Sequence, residues 1–199
     1  MTSAQLTTSD GQVLSADLAV PPPGVDAVGA VVLCHPHPQH GGNRFDRVVT
    51  ALFEALPPAG YAAVRFDFRR EFADGVGARL DVVAALDHLG AGAELARVPH
   101  YVVGYSFGAV VALGTEDDRI AGIAAVAPPL AVAPVPTPRV PVLVLVPRHD
   151  QFSPPSLTAP IVATWPAASL QVIESADHFL AGHTRDVADR VVAWLTTLR

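Results

Sequence analysis

Six apolar runs of strand length recur along the chain, most of them near-continuous Val, Ile, Leu and Ala, with helix-like segments between them. "AVGAVVLCH" ends at His35, "YAAVRFDF" runs from Tyr61 to Phe68, and "HYVVGYS" ends at Ser106. "IAGIAAVAP" begins at Ile120, "VPVLVLVP" runs from Val140 to Pro147, and "SLQVIES" runs from Ser169 to Ser175. A strand with one wet face alternates apolar and polar residues, whereas a strand covered on both faces does not. The runs therefore call for a mostly parallel sheet clothed by helices.

The intervening segments supply those helices. "RFDRVVTALFEAL" places Phe45, Val48, Val49, Leu52, Phe53 and Leu56 near one face. "ARLDVVAALDHL" does so with Leu80, Val83, Leu86 and Leu89, and "DVADRVVAWLTTL" with Val187, Val191, Trp194, Leu195 and Leu198. Strands alternating with helices predict an α/β fold with right-handed crossovers and helices on both faces of the sheet. The segment "GQVLSADLAVPPPG" predicts an antiparallel edge strand leading into a proline-rich turn. "APPLAVAPVPTPR", Ala127 to Arg139, reads as a connection, too short to form a lid or cap domain.

At 199 residues the chain reads as a single domain, residues 1–199, with a core that needs no covalent staple. Its net charge of −6 and lack of a basic stripe argue against nucleic acid and anionic membranes as partners. The single cysteine, Cys34, cannot form an intrachain disulfide, which points to a reducing compartment. The first twenty residues lack the basic start and apolar core of a signal peptide, and no apolar stretch reaches a membrane span. A soluble cytoplasmic protein is the expectation. The sequence assigns no oligomeric state.

Gly104 to Gly108 reads Gly-Tyr-Ser-Phe-Gly, a match to G-x-S-x-G between a buried strand and an apolar helix start. A strand turning sharply into a helix forces the central residue into a strained conformation. The flanking positions then lie too close to neighbouring backbone for a Cβ, hence the glycines. Ser106 Oγ would sit at the carboxyl edge of the sheet beside the positive end of a helix. The plainer alternative is a serine in an ordinary glycine-rich turn.

A serine hydroxyl becomes a nucleophile only when a base takes its proton and an acid orients that base. The expected chain order is Ser, then Asp or Glu, then His. His178 lies in "ESADHFL", after the last strand and before the final helix. His183 comes later and is read as solvated, and His149 precedes the candidate acid. Asp150 comes shortly after the strand "VLVLV"; alone it could equally be a capping residue. Asp177 would point elsewhere, Glu174 lies in a strand, and Asp117 and Asp118 fall in a polar turn. Ser106, Asp150 and His178 are therefore the candidate catalytic residues.

Acyl transfer also needs N–H groups to meet a developing oxyanion. One candidate is the backbone N–H of Phe107. The other comes from the early loop "HPHPQHGGN", His35 to Asn43, in which Pro36 and Pro38 have no N–H and His37 between them does. Gly41 and Gly42 would allow close backbone approach. A rival reading makes His35, His37 and His40 a metal site, but the prolines stiffen the loop and no carboxylate adjoins it. His35 reads better as a buried structural imidazole and Cys34 as core. Tyr105, Phe152 and Phe179 are candidate walls of an apolar substrate pocket, although aromatic residues near loops are often simple packing.

These residues carry a resemblance. "CHPHPQHGG", "VRFDFRR", "GYSFG", "RHDQFSP" and "ADHF" occur in the order seen in the α/β-hydrolase superfamily. The chain resembles in particular its small lidless bacterial hydrolases with an HPHP loop, related to dienelactone hydrolases and short-chain carboxylesterases. The resemblance implies Ser106 as nucleophile, His178 as base, Asp150 as orienting acid, and no cofactor. One departure stands out: in "FDFRREFADGVG", Arg70 replaces a glycine the group usually has, which bears on the pocket entrance. Dienelactone hydrolases proper use a cysteine nucleophile, so that activity is not implied. The expectation is a serine hydrolase of small carboxylic esters or related acyl bonds. A peptidase or acyltransferase on the same residues, or a binding protein without turnover, stay open as alternatives.

Overall fold

The computed structural model describes residues 1–70 and 75–199. Eight strands form one sheet: β1 (Thr2–Thr7), β2 (Val13–Ala19), β3 (Gly29–Cys34), β4 (Tyr61–Phe66), β5 (His100–Tyr105), β6 (Ile120–Val126), β7 (Val142–His149) and β8 (Ala168–Asp177). Their order is β1-β2-β4-β3-β5-β6-β7-β8; β2 pairs antiparallel with both β1 and β4, and the remaining pairings, from β4 to β8, are parallel. The six apolar runs are the six parallel strands. β3, β4 and β5 are buried along their whole length, as their lack of alternation requires, while β8, at the sheet's edge, is only partly covered. On β3, Ala30, Val32 and Cys34 face one core while Val31 and Leu33 face the other.

Five α-helices clothe the sheet: α1 (Arg47–Ala55), α2 (Val76–Ala91), α3 (Phe107–Gly114), α4 (Pro155–Val162) and α5 (Thr184–Thr197). The first core takes Leu86 and Leu89 of α2 and Ala109 and Ala112 of α3; the second takes Leu52 and Phe53 of α1 and Val187, Val191 and Leu195 of α5. Each buried Leu or Phe contributes about 1.5–3 kcal/mol relative to exposure. Residues 127–139 form a connection without helix or strand, and no cap domain rises from the sheet among the described residues. No described helix is long and apolar enough to cross a membrane.

Three expectations need correction. The edge strand is β1; β2 lies inside it, paired to both β1 and β4. β1 gave little signal because Leu6 is its single buried residue. Phe45 precedes α1, whose first turn is capped by the Asp46 carboxylate accepting from Val48 N–H at 2.8 Å. Phe45 is exposed and carries the Arg44 and Arg65 guanidiniums at 4.3 and 4.8 Å from its ring. Leu80 and Val83 are only half-buried; α2 instead turns Ala78, Asp81, Val82 and Ala85 inward with Leu86 and Leu89. Asp81 can go there because Arg69 meets it with both its backbone N–H and Nε, at 2.9 and 2.8 Å. The segment "PSLTAPIV", on which the sequence was silent, forms α4, with Pro155 in its first turn, where its missing N–H costs nothing.

The strand order places a site. The chain passes from β3 to β4 on one side and then to β5 on the other. Loops leaving β3 and β5 therefore diverge at their carboxyl ends and leave a crevice there, the topological switch point at which α/β sheets bind ligands.

Candidate active site

Ser106 occupies the turn between β5 and α3 with φ 54° and ψ −114°. A left-handed backbone at a residue bearing a Cβ costs on the order of 1–3 kcal/mol and needs its surroundings to hold it. The Ser106 N–H is fixed by the Val126 carbonyl at 2.9 Å. A Cβ on Gly104 would lie 2.2 Å from Gly108 O, and one on Gly108 would lie 2.3 Å from Cys34 O. Both neighbours are backbone, so neither can step aside. The glycines exist so that α3 can start against β5 and pack onto the end of β3.

Loops from β7 and β8 bring the other two side chains. Ser106 Oγ lies 2.9 Å from His178 Nε2, and His178 Nδ1 lies 2.8 Å from Asp150 Oδ2. The structure thus brings all three sequence-selected residues into one hydrogen-bonded chain. Asp150 is 4% exposed and His178 6%. Asp150 Oδ1 accepts the N–H groups of Phe152 and Ser153 at 2.8 and 2.9 Å. Burial pushes the Asp150 carboxyl up, but the bonds from His178, Ser153 and Phe152 outweigh it, and it titrates below the usual carboxylate range. A carboxylate at Nδ1 keeps the imidazole proton there and leaves Nε2 to accept from the serine hydroxyl.

Two further residues hold the histidine loop. Tyr105 O–H donates to the His178 carbonyl at 2.9 Å, and Gln151 Oε1 accepts from the His178 N–H at 3.1 Å. Tyr105, 5% exposed, thus both lines the cleft and braces the histidine loop. Sequence reasoning did not find Gln151, because nothing in its spacing tells that it reaches across to a loop 27 residues away. Asp177 turns away, as expected, and accepts the Phe179 N–H at 3.0 Å. Glu174 is exposed and pairs with Arg148, and Asp117 pairs with Arg119. His149 closes β7 and His183 precedes α5.

The loop after β3 faces this chain. His37 ring-stacks on His40 at 4.6 Å and meets the Phe107 ring edge-on at 4.9 Å. Burial, and then the neighbouring His40, hold the His37 imidazole below its ordinary pKa. Gly42 is the glycine that close approach requires: a Cβ there would lie 2.0 Å from Pro36 O. The far end of the loop is tethered by Arg44, which pairs with Asp67 and, at 3.2 Å, with Asp17. His35 is 1% exposed and both its ring nitrogens engage backbone groups, so it is a structural imidazole. Cys34 is buried, and burial pushes its thiol up, away from thiolate chemistry. Among the described residues no group of three or more His, Cys, Asp or Glu is arranged to hold a metal ion.

An open cleft of about 410 Å³ joins these parts. His37, Ser106, Phe107 and His178 line it, with Phe152 and Phe179 at its rim, 49% and 61% exposed. Both rings meet the His178 imidazole edge-on, at 4.5 and 5.8 Å between centroids. Val132 and Ala133 complete the apolar side from the 127–139 connection. Of the segment that departs at Arg70, residues 71–74 lie outside the described residues; Arg70 is exposed and lines a separate depression beyond Pro38.

No family model matches the chain. Over 90 residues it is 38% identical to an uncharacterized protein of Rickettsia prowazekii; the match covers 42% of this chain and spans only 37% of that relative's length. Its similarity to solved structures covers nearly the whole chain. An α/β serine hydrolase homologue from Coxiella burnetii matches at 26% identity, 98% and 97% coverage of the two chains, and a TM-score of 0.87. A lidless α/β serine hydrolase from Xanthomonas campestris matches at 24%, 98% and 94% coverage, and 0.86. A dienelactone hydrolase from Anabaena variabilis matches at 19%, 98% and 96% coverage, and 0.83.

Proposed function

Since the chain belongs to the α/β-hydrolase superfamily and has the architecture of its lidless members, we propose that it is a serine hydrolase acting on small carboxylic esters through an acyl-serine intermediate. The observation that carries this reading is the Ser106–His178–Asp150 hydrogen-bond chain, built on a left-handed Ser106 at the mouth of an apolar cleft. The names of the similar proteins support the same class of chemistry.

The steps follow from the geometry. His178 Nε2 takes the Ser106 proton as Oγ bonds to the ester carbonyl carbon. The carbonyl oxygen gains charge and is met by the backbone N–H groups of His37 and Phe107; Phe107 opens α3, whose first-turn amides point toward Ser106. His178 then gives its proton to the departing alkoxide as the ester C–O bond breaks. Water, deprotonated by the same Nε2, attacks the acyl-serine, and Ser106 leaves with that proton as the acid is released. Asp150 keeps the imidazole oriented and offsets its charge while it is protonated. Apolar walls, with no cap among the described residues, suit small uncharged acyl groups. No cofactor enters these steps, and a lone buried Cys34 fits a cytoplasmic setting.

The test is turnover of p-nitrophenyl esters of increasing acyl length beside a thioester and an anilide. The reading expects fastest hydrolysis of short-chain esters. Faster cleavage of the anilide would favour a peptidase, and acyl transfer to an added alcohol in preference to water would favour an acyltransferase.

A further inference from the structure

Several buried titratable groups have no part in these steps, and one of them, His35, adjoins the site. His35, at the carboxyl end of β3, accepts the Phe68 N–H at Nε2 over 3.0 Å, while its Nδ1 lies 2.6 Å from the Pro36 carbonyl oxygen. An Nε2 that accepts a backbone N–H carries no proton of its own, so the ring's proton is on Nδ1 and is donated to Pro36 O. Burial holds the imidazole below its ordinary pKa, which favours this neutral form. The tautomer is thus dictated from both sides.

That bond fixes a peptide plane. In a trans peptide the C=O of one residue and the N–H of the next point in opposite directions. The sheet order at this edge is β4-β3-β5. Phe68 lies just beyond β4, so the His35 ring draws the Pro36 carbonyl to the β4 side. The N–H of His37 is thereby turned to the opposite side, where β5 ends in Ser106 and where His37, Ser106 and Phe107 line one cleft. Gly42 closes the other approach to the carbonyl, since even a Cβ would sit 2.0 Å from Pro36 O. A flipped peptide would aim a carbonyl oxygen at the position where an oxyanion forms, which is repulsive.

We propose that His35 is a positioning residue for the hydrolytic site: its Nδ1–H, bonded to Pro36 O, locks the Pro36–His37 peptide with the His37 N–H facing the Ser106 cleft. The inference rests on the serine-hydrolase reading above. It adds that half of the oxyanion site is set by a side chain that touches no substrate.

The test compares His35→Asn with His35→Ala. The asparagine Nδ2 stands where Nδ1 stood and can donate to Pro36 O, but it cannot reach the Phe68 N–H. With p-nitrophenyl acetate, His35→Ala lowers kcat on the order of 10²–10³-fold, the loss expected for one oxyanion donor, with KM changed by less than about threefold. Affinity for a trifluoromethyl ketone, which binds as an oxyanionic adduct, falls in parallel, and His35→Asn recovers most of both. Equal damage in both variants, or a rate loss with unchanged ketone affinity, overturns the proposal. Gly42→Ala, with His35 intact, gives the same signature if His35→Ala does not fold; full activity in that variant also overturns it. Nitrogen-15 shifts of the His35 ring report Nδ1 protonation independently of turnover. A wild-type protein that shows this tautomer but neither hydrolyses esters nor binds the ketone would sink the hydrolase reading and leave the lock standing as structure.

Discussion

At the scale of single residues, the chemistry depends on one hydroxyl and the groups that prepare it. Ser106→Ala should lower kcat for p-nitrophenyl acetate on the order of 10⁶-fold, as loss of such a nucleophile does; substantial turnover in that variant would remove Ser106 from the role. Asp150→Asn should keep the geometry but favour the wrong imidazole tautomer, at a cost on the order of 10⁴ in kcat. Asp150 also links pH to stability. Its carboxyl titrates below the usual range when folded, so its contribution is present above the ordinary carboxylate pKa of about 3.9 and is lost as pH falls below it. Urea denaturation of wild type and Asp150→Asn should therefore show a stability difference that is constant near neutral pH and shrinks in acid. A gap that widens in acid would contradict the direction of the shift. His37→Pro removes the N–H along with the imidazole, so it is compared with His37→Ala, which keeps the N–H. Relative to that variant it should raise the barrier by about 2.7–4 kcal/mol if the N–H meets the oxyanion, which steady-state kinetics on the folded variants measures.

Elements hold these residues by close backbone approach. One such approach joins α3 to the end of β3, where Gly108 stands against Cys34 O. Gly108→Ala should cost at least about 1–3 kcal/mol as overpacking and displace Ser106; a urea midpoint equal to wild type would show that the approach is looser. At this scale much was legible in advance. Most of the parallel strands could be read because continuous apolar runs have one stable use, a strand covered on both faces; β8 is the exception, a half-polar and partly exposed edge. β1 could not, since one buried leucine leaves no pattern. The inward face of α2 was misread because the helix is apolar nearly all round, so periodicity could not tell Leu80 and Val83 from Val82 and Ala85. In the candidate site, Ser106, Asp150 and His178 could be read because each follows the carboxyl end of a strand. The work of Tyr105, Gln151 and the His35 tautomer could not: these are bonds between loops, and the Tyr105 O–H reaches a residue 73 positions away. Such contacts exist only once the sheet has aligned the loops.

Across the whole molecule, the sheet's switch point sets where the cleft opens and its lining sets what can enter. Among the described residues no arginine lines the cleft, whereas the Asp46 carboxylate does. Esters bearing a carboxylate on the acyl chain should therefore show kcat/KM at least about tenfold below their neutral methyl-ester analogues, a difference of about 1.4 kcal/mol. The gap should narrow with added salt, since charges are screened beyond about 10 Å at 0.1 M. Equal rates for the two esters would mean that charge plays no part in selection. The central claim, that Ser106 is an activated nucleophile, is tested most directly by treating the folded protein with a fluorophosphonate and mapping the adduct by mass spectrometry. The account predicts one covalent adduct, on Ser106, lost in Ser106→Ala and strongly slowed in His178→Ala. No adduct, or an adduct at another residue, would contradict it and leave a binding protein in its place.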